Sequence, residues 1–333
     1  MSSTAPYIGR GEEPLEHDAR RARLGFGCAG LMRLPSRRGR QRLLGEAFDR
    51  GLTHFDVARM YGLGMAEAEL ARFARGRREE ITIATKFGIE PGAPRFARLQ
   101  APARAVLARA PALRSAIKRR GGGPREPRRY DVPAARRSLE TSLRELATDH
   151  VDYFFVHDPA PGDLVDLEGL AELFEDLRQR GMVRAWGVSG DPDPCVALAR
   201  ASAATLFQVR SEIFAPVLPG AGFPSLTIEF GVLAQPLARI RRHLAASPQR
   251  RERWRSAVGL DCGSSEVLAS LLLRDALERN REGGVLFSTT KPERIGAAVA
   301  VADAVAAGLD EAQLRAFRAL VREDLGAGES ALA

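Results

Sequence analysis

Lysine is nearly absent from this 333-residue chain: among its 50 basic side chains only Lys86, Lys118 and Lys291 are not arginine. Cysteine is scarce too, and Cys28, Cys195 and Cys262 lie far apart. So low and odd a count excludes a disulfide framework, offers no metal-ligand spacing, and fits a reducing compartment. All three cysteines read as structural, and no metal is expected. No run approaches the ~18–20 uninterrupted apolar residues of a membrane span. Residues 1–21 have no apolar signal-peptide core and carry early acids. These absences predict a cytoplasmic protein with no membrane partner.

What is present is a basic excess of uneven distribution. The net charge is +8, but residues 91–130 hold ten Arg and one Lys against Glu126 alone, so this segment carries +10 and the remainder −2. The hydrophobic fraction of 45% is enough for a sizeable core. Short apolar runs at 24–27, 53–57, 81–85, 151–156, 183–188, 206–209, 232–234 and 285–288 read as strands. Between them, segments such as 40–49, 67–74, 134–146, 168–180 and 264–280 repeat apolar residues every three or four positions, as helices do. Strand–helix alternation implies parallel sheet covered by helices, and eight repeats favour a closed (β/α)8 TIM barrel over an open sheet. The whole chain, 1–333, reads as one barrel domain. Residues 88–132 form a Pro-, Gly- and Arg-rich insertion after the third strand, with short basic helices expected at 97–120. A second Arg-rich stretch, 238–261, is expected to be partly helical.

Gly25-Phe26-Gly27-Cys28-Ala29-Gly30 matches the G-x-G-x-x-G dinucleotide fingerprint, with Asp49 about 20 residues on. The motif should open a helix, yet LMRLPSRRGR follows it, and Pro35 with its basic neighbours makes a poor helix start. These glycines are expected instead in the first strand and the turn after it.

Four residue types suited to carbonyl reduction fall at strand ends. Asp56 closes the second strand and Tyr61 follows in the next loop; Lys86 ends the third strand and His157 the fourth. In a barrel, C-terminal strand ends converge on one site. A tyrosine can donate a proton, an adjacent ammonium lowers its pKa, a carboxylate holds the ammonium, and a histidine binds the carbonyl oxygen. Each alone has an ordinary reading: a turn carboxylate, a packing aromatic, a solvated lysine, a core histidine. Together they make a candidate site. His54 and Trp186 read as structural, while Arg59 reads either as substrate mouth or as solvated.

The blocks FDVARMYG at 55–62, TKFG at 85–88 and DYFFVHDP at 152–159 resemble the signatures of the aldo-keto reductase family, in family order. The resemblance runs from about residue 23 to 295. It implies Tyr61 as general acid, Lys86 as the group depressing its pKa, Asp56 as the partner of Lys86, and His157 as the orienter of the carbonyl. It also implies a nicotinamide cofactor, with Ser189, Gly190 and Gln208 at the carboxamide. Gly190 replaces an Asn of the family pattern. By the same resemblance, the seventh-strand block is 234–237, which places Gln235 and Leu237 at the cofactor without the usual stacking ring. Ser288, Thr289 and Arg294 match the segment that clasps the adenosine 2′-phosphate, so NADPH is expected, with NADH the alternative.

The resemblance implies reduction of an aldehyde or ketone by a monomer. The alternatives are an NAD-dependent sugar or alcohol dehydrogenase, and a nucleotide-binding barrel serving as a redox-sensing or interaction module. The basic insertion leaves Lys86 at the rim and reads as a lid or rim element, ahead of a solvated loop or a patch for nucleic acid or acidic membrane. With only Phe96 and Tyr130 for stacking, it is a poor nucleic-acid surface.

Overall fold

The computed structural model describes residues 23–91, 127–160, 162–163, 166–201, 206–217, 226–306 and 311–326. The helices expected at 97–120 lie outside the described residues. Eight parallel strands close into a barrel in chain order: β1 (Leu24–Gly27), β2 (His54–Asp56), β3 (Thr82–Phe87), β4 (Val151–His157), β5 (Val183–Gly190), β6 (Leu206–Arg210), β7 (Leu226–Phe230) and β8 (Gly284–Phe287). The strands are covered on both faces, so most of their residues are buried and they read as largely apolar runs. Ala84, Tyr153, Phe155, Leu206, Ile228 and Leu286 form one buried cluster within the barrel. A larger cluster, including Phe26, Phe55, Phe87, Phe154 and Phe207, packs between sheet and helices.

Closure joins β1 to β8 in the register Leu24↔Val285, Gly25↔Leu286 and Phe26↔Phe287. Arg23 fastens this seam by donating to the carbonyls of Gly283, Leu277 and Asn280.

The helices begin where local chemistry starts them. The outer layer in chain order is α1 (Arg37–Asp49), α2 (Ala66–Ala74), α3 (Val132–Leu146), α4 (Leu167–Gln179), α5 (Pro192–Ala201), α6 (Ala234–Ala245), α7 (Pro248–Val258), α8 (Ser265–Arg279), α9 (Glu293–Ala306) and α10 (Glu311–Leu325). Ser36, Asp131, Asp166, Ser247 and Ser264 cap α1, α3, α4, α7 and α8 by accepting from backbone N–H groups of the first turn. The Arg-rich stretch 238–261 thus lies across α6 and α7, which with α8 and α10 bury Trp254, Ile240, Leu268 and Phe317 in a second core. Among the described residues, no helix is long and apolar enough to cross a membrane.

One strand differs from expectation. The seventh is Leu226–Phe230, and the run at 232–234 is the connection into α6. An acid in mid-strand hides the real one: Glu229 is 1% exposed and pairs with Arg279 of α8 at 3.3 Å. Gly25 and Gly27 lie in β1 as expected, and Gly30 lies in a short 3₁₀ helix, Cys28–Arg33, so the fingerprint opens no α-helix.

Candidate active site

At the C-terminal strand ends a cavity of about 520 Å³ is lined by Asp56, Tyr61, His157, Ser189, Gln208 and Phe230, among others. Strand register brings these groups together. Asp56 of β2 lies beside Ala84 of β3, Lys86 beside Phe155 of β4, His157 beside Ser189 of β5, and Ser189 beside Gln208 of β6.

The floor is a continuous hydrogen-bonded chain. The Ser189 hydroxyl donates to Gln208 Oε1 at 2.5 Å, Gln208 Nε2 donates to Asp56 Oδ2 at 2.7 Å, and Lys86 Nζ reaches the same oxygen at 2.5 Å. Lys86 Nζ also donates to the Val57 carbonyl at 3.1 Å. Lys86 is only 1% exposed, a burial tolerable for an ammonium because it is both paired and hydrogen-bonded.

Tyr61 begins a short 3₁₀ turn, Tyr61–Gly64. The next residue must be glycine: Gly62 has φ +60°, and a Cβ there would stand 2.1 Å from Met32 Cγ. Lys86 Nζ lies 5.2 Å from the Tyr61 ring centroid, and the His157 ring meets that ring edge-on at 6.0 Å. The expected lowering of the Tyr61 pKa by Lys86 is not what this geometry produces. The ammonium is bonded to Asp56 and the Val57 carbonyl, and burial, with Asp56 and Cys28 adding to it, pushes the phenol well up. Burial, reinforced by Lys86 and Arg128, pushes His157 down to about 3, so its imidazole is neutral near neutral pH. Its Nδ1 is buried without a hydrogen-bond partner.

The returning arm of the insertion reaches this rim. Tyr130 donates to the His157 carbonyl at 2.7 Å, and Arg128, on the cavity wall, donates to the Asp158 carbonyl at 2.7 Å. Arg59 turns out to be neither mouth nor solvated: it pairs with buried Glu67 at 2.7 Å, and Glu67 accepts from the Thr85 hydroxyl.

The cofactor candidates divide. Ser189, Gly190, Gln208 and Ser288 line the cavity, and the Ser288 hydroxyl donates to the Gly27 carbonyl at 2.7 Å. A Cβ at Gly190 would lie 3.2 Å from Asp158 Cα, so a larger residue there would crowd the β4 loop. Thr289 Oγ1 accepts from the Lys291 N–H, and Arg294 is exposed in the first turn of α9. Near them, the Ser264 hydroxyl foremost, with Arg294 and Lys291 adding to it, holds the Glu266 carboxyl below the usual range.

Gln235 and Leu237 are not on the cavity wall: they sit in the first turn of α6, Gln235 exposed and Leu237 packed against the second core. The shift of β7 brings a different ring to the cavity. Phe230 ends that strand on the cavity wall, with the Arg210 guanidinium 5.1 Å from its ring centroid and Arg210 Nε on Asp191 at 2.8 Å. The alternation of Thr227-Ile228-Glu229-Phe230, with an aromatic at its end, is the signal that would have found it.

These residues fit a nicotinamide dinucleotide. A hydroxyl and a primary amide on the cavity wall suit a carboxamide, the Phe230 ring lines the same cavity, and exposed Lys291 and Arg294 lie near Ser288 in sequence.

The sequence profile of the aldo/keto reductase family matches residues 23–201. The chain belongs to that family. It is 34% identical over 144 residues to a 6-dehydroglucose reductase of Agrobacterium fabrum, covering 42% of this chain and 39% of that one. It is 30% identical over 184 residues to a D-threo-aldose 1-dehydrogenase of a Pseudomonas species, covering 50% and 49%. The chain spans less than half the length of the curated relatives it matches. Among solved structures, an aldo-keto reductase from Klebsiella pneumoniae in complex with NADPH aligns over 91% of this chain and 90% of its own, with TM-score 0.62 and 20% identity. A glycerol dehydrogenase from Gluconobacter oxydans aligns over 93% and 94%, with TM-score 0.65 and 18% identity. At such identities these two establish the fold.

Proposed function

We propose that this chain is an NAD(P)H-dependent reductase of aldehydes or ketones, with Tyr61 as proton donor. The observation that carries the reading is the chain Ser189–Gln208–Asp56–Lys86 beneath a cavity also lined by Tyr61 and His157. A reduced nicotinamide, when bound, supplies the hydride. Ser189 and Gln208 would hold its carboxamide, Phe230 its ring, and Arg294 a 2′-phosphate, whose planar recognition suits a guanidinium.

The protein's own groups handle the proton and the developing charge. Neutral His157 has one ring N–H to donate to the substrate carbonyl oxygen. Tyr61, kept protonated by its surroundings, delivers its proton to that oxygen. Lys86, held by Asp56, stands close enough to stabilise the phenolate that remains. The same groups serve alcohol oxidation in reverse, by microscopic reversibility, so direction follows from the substrate couple and the cofactor ratio.

Tyr61→Phe tests the assignment. Turnover of an aldehyde panel is expected to fall about 10²–10⁴-fold, while NADPH affinity from fluorescence titration stays unchanged. Intact turnover in this variant would overturn Tyr61 as the acid. Retained NADPH binding with no turnover by the parent protein would favour the binding-module reading. Titrating NADPH and NADH side by side, before and after Arg294→Ala, tests the phosphate contact. The preference for NADPH is expected to narrow about tenfold, a loss of about 1.4 kcal/mol.

A further inference from the structure

A second cavity, of about 200 Å³, lies against α3 and shares no lining residue with the first. Its walls carry Arg59 from the loop before Tyr61, Glu90 and Arg129 from the two described arms of the insertion, and Arg137, Ser138 and Thr141 from α3. Three guanidiniums against one carboxylate leave the wall at +2, with the charge of Arg59 shared with Glu67 behind it.

Several donors here are unused. Ser138 is 3% exposed and its hydroxyl has no hydrogen-bond partner. The side chain of Arg59 is 11% exposed; its Nη1 serves Glu67, but its Nε is buried without a partner. Arg129 and Arg137 are exposed and, among the described residues, neither pairs with a carboxylate. Thr141 is already engaged, donating to the Arg137 carbonyl. Leaving buried donors unmade is unfavourable, so orphaned donors on two residues that line one small basic cavity point to an acceptor that draws them to it. The chain between Pro91 and Pro127 has little that is anionic to place there, with eight Arg and one Lys against Glu126.

We propose that this cavity binds a small oxyanion, inorganic phosphate or a phosphate monoester. The Ser138 hydroxyl and the Arg59 Nε–H meet it at the buried side, and Arg129 and Arg137 meet it from the exposed side. Guanidiniums suit this chemistry because their planar forks match phosphate oxygens, and a divalent cation is excluded by the same charge. The proposal is independent of the redox reading, since it concerns a different cavity and its test reads binding alone.

The test is calorimetric titration of the full chain with sodium phosphate, and separately with glycerol 3-phosphate, against sodium chloride at matched ionic strength. Saturable binding of one phosphate group per chain is expected. Arg137→Ala and Ser138→Ala should each weaken it about tenfold, equivalent to about 1.4 kcal/mol. Arg136→Ala is the control, because Arg136 is the neighbour of Arg137 in sequence, lies off the cavity wall, and is 4.0 Å from Asp176. It should leave binding unchanged. Ser138→Ala should melt at or above the parent temperature without phosphate, because the hydroxyl it removes is buried and bonds to nothing, so weaker binding in that variant cannot be blamed on misfolding. Stronger binding of the monoester than of phosphate would support a phosphorylated metabolite as the source, and equal or weaker binding would support free phosphate. No binding above chloride overturns the proposal. So does equal weakening by Arg136→Ala and Arg137→Ala, which marks diffuse attraction, or loss in Arg294→Ala with retention in Arg137→Ala, which marks a phosphate held at the start of α9 instead.

Discussion

The strands β2 to β4 and the strands β7 and β8 border the same cavity by different means. On the first side, Asp56 and Lys86 are buried ions locked to each other, and Gln208 ties them across to Ser189. On the second side stand an aromatic face, Phe230, a serine bonded to backbone, and basic residues left in solvent. Buried ions demand particular partners at particular distances, so few substitutions preserve them. A ring face or an exposed guanidinium tolerates displacement along the chain. This contrast explains why the first side matches the family pattern block by block while the second departs from it.

The largest effect should come from breaking the first side. Lys86→Met leaves the Asp56 carboxylate buried and unpaired, and is expected to lower unfolding free energy by about 3–5 kcal/mol. Adding Asp56→Asn should restore much of that loss in denaturant titrations. If Lys86→Met unfolds at the parent midpoint, the ion pair does not hold this side together.

Acid should also weaken the first side selectively. Burial pushes His54 down to about 4 and His157 to about 3, from an ordinary value of 6.5. Because both folded-state values are depressed, the unfolded chain binds more protons as pH falls below about 6.5, so stability declines towards the folded values and is fully present above that window. For His54 the loss by pH 5 is about 2 kcal/mol. His54→Gln should flatten this part of the pH–stability curve; an unchanged slope would remove His54 as its source.

The smallest effect sharpens the second side. Phe230→Ala should weaken NADPH binding about five- to tenfold, about 1 kcal/mol of lost ring contact, while Gln235→Ala leaves it unchanged. The opposite ranking would return the cofactor wall to the first turn of α6.

Legibility in the sequence follows the same division. Eight strands could be counted because parallel strands covered on both faces read as apolar runs, and the helices because apolar residues recur there every three or four positions. Asp56, Lys86 and His157 were legible because a charged or polar residue at the end of an apolar strand breaks the pattern visibly. Phe230 was not, since Glu229 disguises its strand and the compensating Arg279 sits 50 residues away in sequence. Nor could spacing show that Arg59 pairs with Glu67, or that burial would raise the Tyr61 phenol. Those depend on which groups exclude water, a property of the folded surroundings.

The Arg23 seam has a consequence in time. It joins groups separated by 260 positions, so the first strand cannot acquire its closing neighbour until nearly all the barrel has been made. At a synthesis rate of ~5–20 residues per second, that interval is roughly 13–50 s. Throughout it, β1 keeps an unpaired edge among partly assembled apolar strands, the condition under which nascent chains aggregate or recruit chaperones. The guanidinium that seals the finished barrel therefore acts last, and the vulnerability it ends belongs to the ribosome-bound chain.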